Sequence, residues 1–217
     1  LIEPLCVSAL NTPAGRASAQ VFLRVMKDAL FGVQGGSKLL LPRLDLSALF
    51  PAAAAAWLQQ RGGELRLGAR VQQLQPLGTR WRVDGQTFDA VVFAIPAAES
   101  ARLIAAMAQN APDLIARPLH AWARVASALP FEAITTVYAW GHQARLRAPM
   151  LALRSSDTVA PAQFVFDRGQ LGGPSGLLAF VFRASTGERD VLQAQGLQQA
   201  GWRWGRDLRL FKTLVEN

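Results

Sequence analysis

Cysteine is nearly missing from this chain. Cys6 is the only one in 217 residues, which excludes an internal disulfide and a cysteine-built metal site and makes the cytoplasm the expected compartment. Histidine is almost as scarce: His120 and His142 have nothing beside them at metal-ligand spacing, and each reads as a surface or strand-edge residue rather than a catalytic base. No apolar run approaches the roughly 20 residues that span a bilayer; the longest are Pro51 to Leu58 and Ala90 to Ala98. No signal peptide is visible, and a start at Leu1 rather than Met leads us to expect a fragment or a processed chain. The formal charge of +8 is nearly all arginine, spread thinly from Arg43 through Arg61, Arg66, Arg70, Arg80 and Arg82 onward. Without a compact basic run or an RNA-binding aromatic signature, it argues against a nucleic-acid partner.

Self-sufficient catalytic motifs are also missing. Gly32 to Lys38 contains glycines and a lysine, but Ser37 precedes Lys38 and the segment follows a helical pattern, so it lacks the strand–loop–helix order of a P-loop. Gly169 to Gly176 fails the dinucleotide spacing and lies between strand-like runs. No Gly-x-Ser-x-Gly occurs. The carboxylates are scattered, and Asp167 is either a turn residue at a strand end or a group facing a ligand. No residue identifies itself as catalytic.

What is present is an apolar chain, 51% hydrophobic and 18% charged, long enough for a sizeable core. Thr12-Pro13 is a natural helix start. Val21, Phe22, Val25, Met26 and Leu30 continue it at helical spacing until Gly32, Gly35 and Gly36. Asp45 or Ser47 can cap a second, alanine-rich helix that stops at Gly62-Gly63. The period then changes. Glu64 to Leu67 and Val71 to Leu77 read as strands, Trp81 to Val83 as another, and Asp84-Gly85 as a tight hairpin turn returning through Phe88. Ala90 to Ile95 reads as a buried strand closed by Pro96, with a helix after it. Beyond lie strand-like runs at Ile134 to Trp140, Met150 to Leu153, Gln163 to Phe166 and Gly176 to Phe182. Turn signals at Gly141, Ser155-Ser156-Asp157 and Gly169 to Gly176 divide them. A helix from Gly187 to Gly201 and a strand from Leu208 to Val215 complete an α+β pattern with a mainly antiparallel sheet flanked by helices. Tyr138, Trp140, Phe164, Phe166, Phe180 and Phe182 lie on these runs, in an ordinary sheet core or on a face lining an apolar pocket.

The segment Gly62-Gly63-Glu64-Leu65-Arg66-Leu67-Gly68-Ala69-Arg70-Val71, then Trp81-Arg82-Val83 and Asp89-Ala90-Val91-Val92-Phe93-Ala94-Ile95-Pro96, resembles the flavin-containing amine oxidase and phytoene desaturase superfamily. Pro4-Leu5, Asn11-Thr12-Pro13, Leu39 to Pro42, Leu46 to Pro51, Ile134 to Tyr138 and Gln163 to Gly169 look closest to its squalene-associated branch, the hydroxysqualene dehydroxylases. The resemblance implies part of an FAD-binding domain at 45–108, flanked by substrate-domain segments at 1–44 (helical) and 109–217 (antiparallel sheet). It implies that Val71, Ala94, Ile95 and Pro96 lie near FAD. Tyr138, Trp140, Phe164, Phe166, Phe180 and Phe182 would then face an apolar isoprenoid, in an enzyme peripheral to the membrane. The family's N-terminal Gly-x-Gly-x-x-Gly motif and C-terminal Gly-Asp segment are not in the sequence, so this chain by itself is expected to bind FAD weakly or not at all and to be inactive. A carotenoid desaturase or amine oxidase fragment is the neighbouring alternative. A non-catalytic module for an apolar ligand or a membrane surface is the other.

Overall fold

The computed structural model describes residues 2–154, 161–183, 188–204 and 209–216; the turn expected at Ser155 to Asp157, Gly187 and Leu208 lie outside them. In chain order, α1 (Ile2–Leu10) and α2 (Ala19–Met26), the latter continued by a π-helical turn at Lys27–Phe31, precede α3 (Leu46–Leu49) and α4 (Pro51–Gln60). Strands β1 (Leu74–Leu77), β2 (Arg80–Val83) and β3 (Gln86–Phe88) follow, then α5 (Ala97–Ala108) and α6 (Asp113–Ser127). Next come β4 (Ile134–Trp140), β5 (Met150–Ala152), β6 (Phe164–Asp167), a 3₁₀ turn at Arg168–Leu171, β7 (Leu177–Arg183), α7 (Arg189–Trp204) and β8 (Arg209–Glu216). Both sheets are antiparallel throughout. The fold is α+β.

Packing divides the chain into two compact units, Leu1–Gly63 with Glu132–Asn217, and Glu64–Phe131. These are units of contact; the divisions expected at 44/45 and 108/109 are those that the resemblance implies, and they concern role rather than packing.

The first unit is built on a five-stranded sheet in the order β5-β6-β7-β4-β8. Alternation along its strands separates two faces. On one, Phe180 stands opposite Val137 and Val165, and Phe182 opposite Thr135; all five are buried. Leu192 and Ala200 of α7 complete this core. A Cβ on Gly196 would lie 2.9 Å from the Phe182 ring tip and 3.3 Å from Val137, so a residue without a side chain lets α7 approach the sheet. Gln199 reinforces the contact: its Oε1 accepts from Ala162 N at 3.0 Å and its Nε2 donates to Ala162 O at 3.2 Å. Asp167 is buried, and its carboxylate accepts from Leu146 N at 3.0 Å and from Gln170 Nε2 at 2.7 Å. It serves as the cap of the 3₁₀ turn.

The N-terminal helices α1 and α2 depart from the sequence pattern in two respects. Ser18, not Thr12, caps α2, accepting from Val21 N at 3.4 Å. Pro13 O is already taken by the N–H groups of Arg16 and Ala17 at 2.9 and 3.0 Å, which closes a separate turn, and Thr12 Oγ1 donates to Leu10 O. Asn11 at φ 48 turns the chain out of α1, a helix the sequence pattern does not announce, and its Nδ2 donates to Glu132 O at 2.6 Å. Asp45 caps through Ala48 N, but the helix it caps is only α3; the alanine-rich helix expected to follow from it is the separate α4, which starts at Pro51 with no side-chain cap. Gly62 at φ 80 ends α4, and Gly63 N donates to Leu58 O.

In the second unit, β1, β2 and β3 form a meander, and α5 packs on α6 through Ala101, Ala123 and Ala126. α6 is the other helix without an expected counterpart, and Pro118 inside it breaks the pattern that would announce it. The larger corrections concern strands. Glu64 to Leu67 and Ala90 to Ile95 are unpaired coil, and β1 begins only at Leu74. Both segments are apolar enough for strands, but no strand lies beside either among the described residues. Val92 is consequently 87% exposed and Leu67 85%. Among the described residues, no helix is long and apolar enough to cross a membrane.

Candidate functional site

In the second unit, the four residues expected near a cofactor lie at the two ends of one small framework. Val71 leads into β1, and the stretch before β1 is fixed by the hairpin turn. Asp84, held at φ 44 beside Gly85 at φ 87, directs its carboxylate back to accept from Gln73 N at 2.7 Å and Gln72 N at 3.1 Å. A turn residue thereby orients a segment eleven residues upstream.

The other end is α5. Ala94 and Ile95 are exposed, and the chain bends at Ile95. Pro96, at φ −53 and ψ 144, is the N-cap; its carbonyl accepts from Glu99 N and Ser100 N at 3.0 and 3.1 Å. From the first turns of α5, Arg102 Nη2 donates to Val71 O at 3.1 Å, and Arg102 Nε donates to Glu99 at 3.1 Å. Arg70 pairs with the same glutamate. Two guanidinium groups thus share one carboxylate. The hydrogen bond from Arg70, and then that from Arg102, holds the Glu99 carboxyl below its ordinary range. Val71 is therefore tied directly to the helix that starts after Ala94-Ile95-Pro96. Its carbonyl is occupied, while its N–H has no partner among the described residues. The backbone N–H groups of Ala90 to Ile95 are likewise open.

One residue beyond Val71 begins a groove of about 450 Å³, lined by Gln72, Gln73, Gln75, Met107 and Asn110 among others. Its amide side chains stand beside Leu74, Pro76, Ala106 and Met107, so the groove offers hydrogen-bonding groups next to apolar surface. Arg70, Asp84, Glu99 and Arg102, which hold this framework, are absent from the sequence-based set. Asp84-Gly85 signals its turn, but nothing local signals that its carboxylate reaches Gln72, or that Arg102 reaches Val71 across 31 positions.

In the first unit, the six aromatic candidates divide between the two sheet faces. Phe180 and Phe182 are fully buried on the α7 side. Tyr138, Phe164 and Phe166 are half-buried, and Trp140 is 40% exposed, on the other side. There Tyr138 and Phe166 both stand opposite Ala179 of β7, and Phe164 opposite Val181. Ala179 itself is buried between these two aromatic neighbours. Trp140 Nε1 donates to Ser175 O at 3.1 Å, and its ring lies 6.4 Å from that of His142. His142 and His120 are both exposed. Asp167 is fully engaged by protein donors and belongs to the fold of this unit.

No protein-family model and no curated protein matches the chain. Among solved structures, it is similar to the crystal structure of the PF1083 protein from Pyrococcus furiosus, with a TM-score of 0.72 at 9% sequence identity. The match covers 99% of this chain and 52% of that one, so the chain spans about half the length of the structure it resembles. At that identity the likeness is one of fold, and it extends over both units of this chain.

Proposed function

We propose that the chain is part of an FAD-dependent oxidoreductase acting on a polyisoprenoid such as hydroxysqualene. The observation that carries this reading is the clasp from Arg102 to Val71. It joins the two separate stretches that the flavoprotein resemblance assigns to the cofactor. The residues present fit part of such a group. Val71 offers an open N–H beside a groove rich in amides, suited to the adenine end. Ala94 offers exposed backbone with only a methyl in the way, and Ile95 and Pro96 continue that edge into α5. FAD, when bound, supplies the redox chemistry, and the protein supplies orientation and exclusion of competing reactions.

On the substrate side, Tyr138, Trp140, Phe164 and Phe166 give one sheet face an aromatic surface suited to a hydrocarbon chain. Phe180 and Phe182 support that face from its packed side. No side chain is assigned a proton-transfer role.

The test uses the product of the complete gene, incubated with hydroxysqualene and FAD, with a reductant and then an oxidant in turn, and followed by chromatography. The account expects conversion that requires FAD and is lost in Ala94→Phe. Flavin-independent binding of the isoprenoid with no conversion under any of these conditions would favour a non-catalytic apolar-ligand module instead.

A further inference from the structure

Val71, Gln72 and Gln73 are coil, and coil without fixed contacts samples many backbone conformations. Here almost every backbone group is pinned. Gln72 Nε2 donates to Arg70 O at 3.2 Å, and Arg102 claims Val71 O. The hairpin turn takes the next groups from the other direction. A single Asp84 oxygen, Oδ1, accepts from Gln72 N at 3.1 Å and from Gln73 N at 2.7 Å, while Asp84 N donates to Gln73 O at 3.1 Å. Of the three N–H groups from Val71 to Gln73, that of Val71 alone has no partner among the described residues.

The turn itself does not require the carboxylate. Asp84-Gly85 has positive φ at both residues, 44 and 87, in the two-residue turn that joins β2 to β3. Aspartate, asparagine and glycine all adopt that conformation readily. What aspartate adds is the acceptor oxygen that reaches Gln72 and Gln73.

We propose that Asp84 is a positioning residue for the adenine end of FAD. It fixes Gln72 and Gln73 and, with Arg102, holds Val71 so that its free N–H is set before the ligand arrives. This inference rests on the flavin reading above and adds a residue that the resemblance does not name. A donor held in place binds more tightly, because the chain gives up its freedom before binding rather than during it. Releasing one backbone residue corresponds to about tenfold in affinity.

The test is FAD titration of the flavin-free product of the complete gene, followed by flavin fluorescence, in the parent, Asp84→Gly and Asp84→Asn. Both variants suit the turn and both remove the charge, but only asparagine keeps an acceptor oxygen. Circular dichroism checks that each remains folded. ADP, which carries the adenine end without the flavin, is titrated as a competitor. Asp84→Gly is expected to weaken FAD and ADP alike by about tenfold, and Asp84→Asn to stay within about threefold of the parent. Unchanged FAD affinity in Asp84→Gly overturns the proposal and leaves the flavin reading standing. Equal loss in both variants, which would indicate an effect of charge, also overturns it, as does loss of FAD affinity without loss of ADP affinity. A parent that takes up no FAD overturns the flavin reading and this inference with it.

Discussion

Two glycines of one helix separate close packing from helix propensity. Gly196 faces Phe182 and Val137, whereas a Cβ on Gly201 would meet nothing within 4 Å. Gly201→Ala is expected to stabilise the fold by about 0.5–1 kcal/mol through helix propensity. Gly196→Ala has the same propensity gain but must force a methyl against a buried ring, at a cost of about 1–3 kcal/mol. Thermal unfolding should therefore rank Gly201→Ala above the parent and Gly196→Ala below it. Gln199 makes a second case. Replacing it with leucine leaves the Ala162 N–H and C=O without their partners, for an expected loss of about 1–3 kcal/mol, measurable by denaturant unfolding. Neither role is legible in the sequence. Gly196 and Gln199 sit in an ordinary helical pattern, and what distinguishes them lies tens of positions away. Asp167 was legible as a turn residue because an aspartate at a strand end has a local use; its reach to Leu146 N has no local sign.

At the scale of elements, local chemistry carried far. The Asp84-Gly85 hairpin, the Asp45 cap, the Gly62-Gly63 stop and the helix after Pro96 all rest on short-range rules, and all are present. Ala90 to Ile95 shows the limit. Its composition is that of a buried strand, but a strand also needs a neighbour, and composition says nothing about whether one is there. The clasp on α5 makes a prediction that belongs to this scale. Because Arg70 and Arg102 hold Glu99 below its ordinary range, its contribution to stability is complete above the unfolded carboxyl value of about 4.3. That contribution is lost as pH falls through the lower folded value. Glu99→Gln should therefore lower the melting temperature near neutral pH, and the gap from the parent should close on acidification through about pH 4. A gap independent of pH would mean that the charge of Glu99 does not hold the clasp.

For the whole molecule, the α+β class and the antiparallel sheet could be read from segment order, since alternating runs between turn signals admit few other arrangements. The assignment of Phe180 and Phe182 to the face under α7, and of Tyr138, Trp140, Phe164 and Phe166 to the opposite one, could not, because register and the position of α7 decide it. Exposed apolar segments at 38–61, 64–67 and 90–95, in a chain spanning about half of a structural neighbour, are the features a flavoprotein account must explain. In that account, the open backbone of Ala90 to Ile95 meets further strands and Ala94 meets the cofactor. The most direct measurement is the flavin content of the product of the complete gene, purified without added FAD and read from its visible absorbance, beside the same protein carrying Ala94→Phe. The account predicts close to one flavin per chain in the parent and little or none in the variant, with both folded. A colourless parent that stays colourless when FAD is supplied would contradict it.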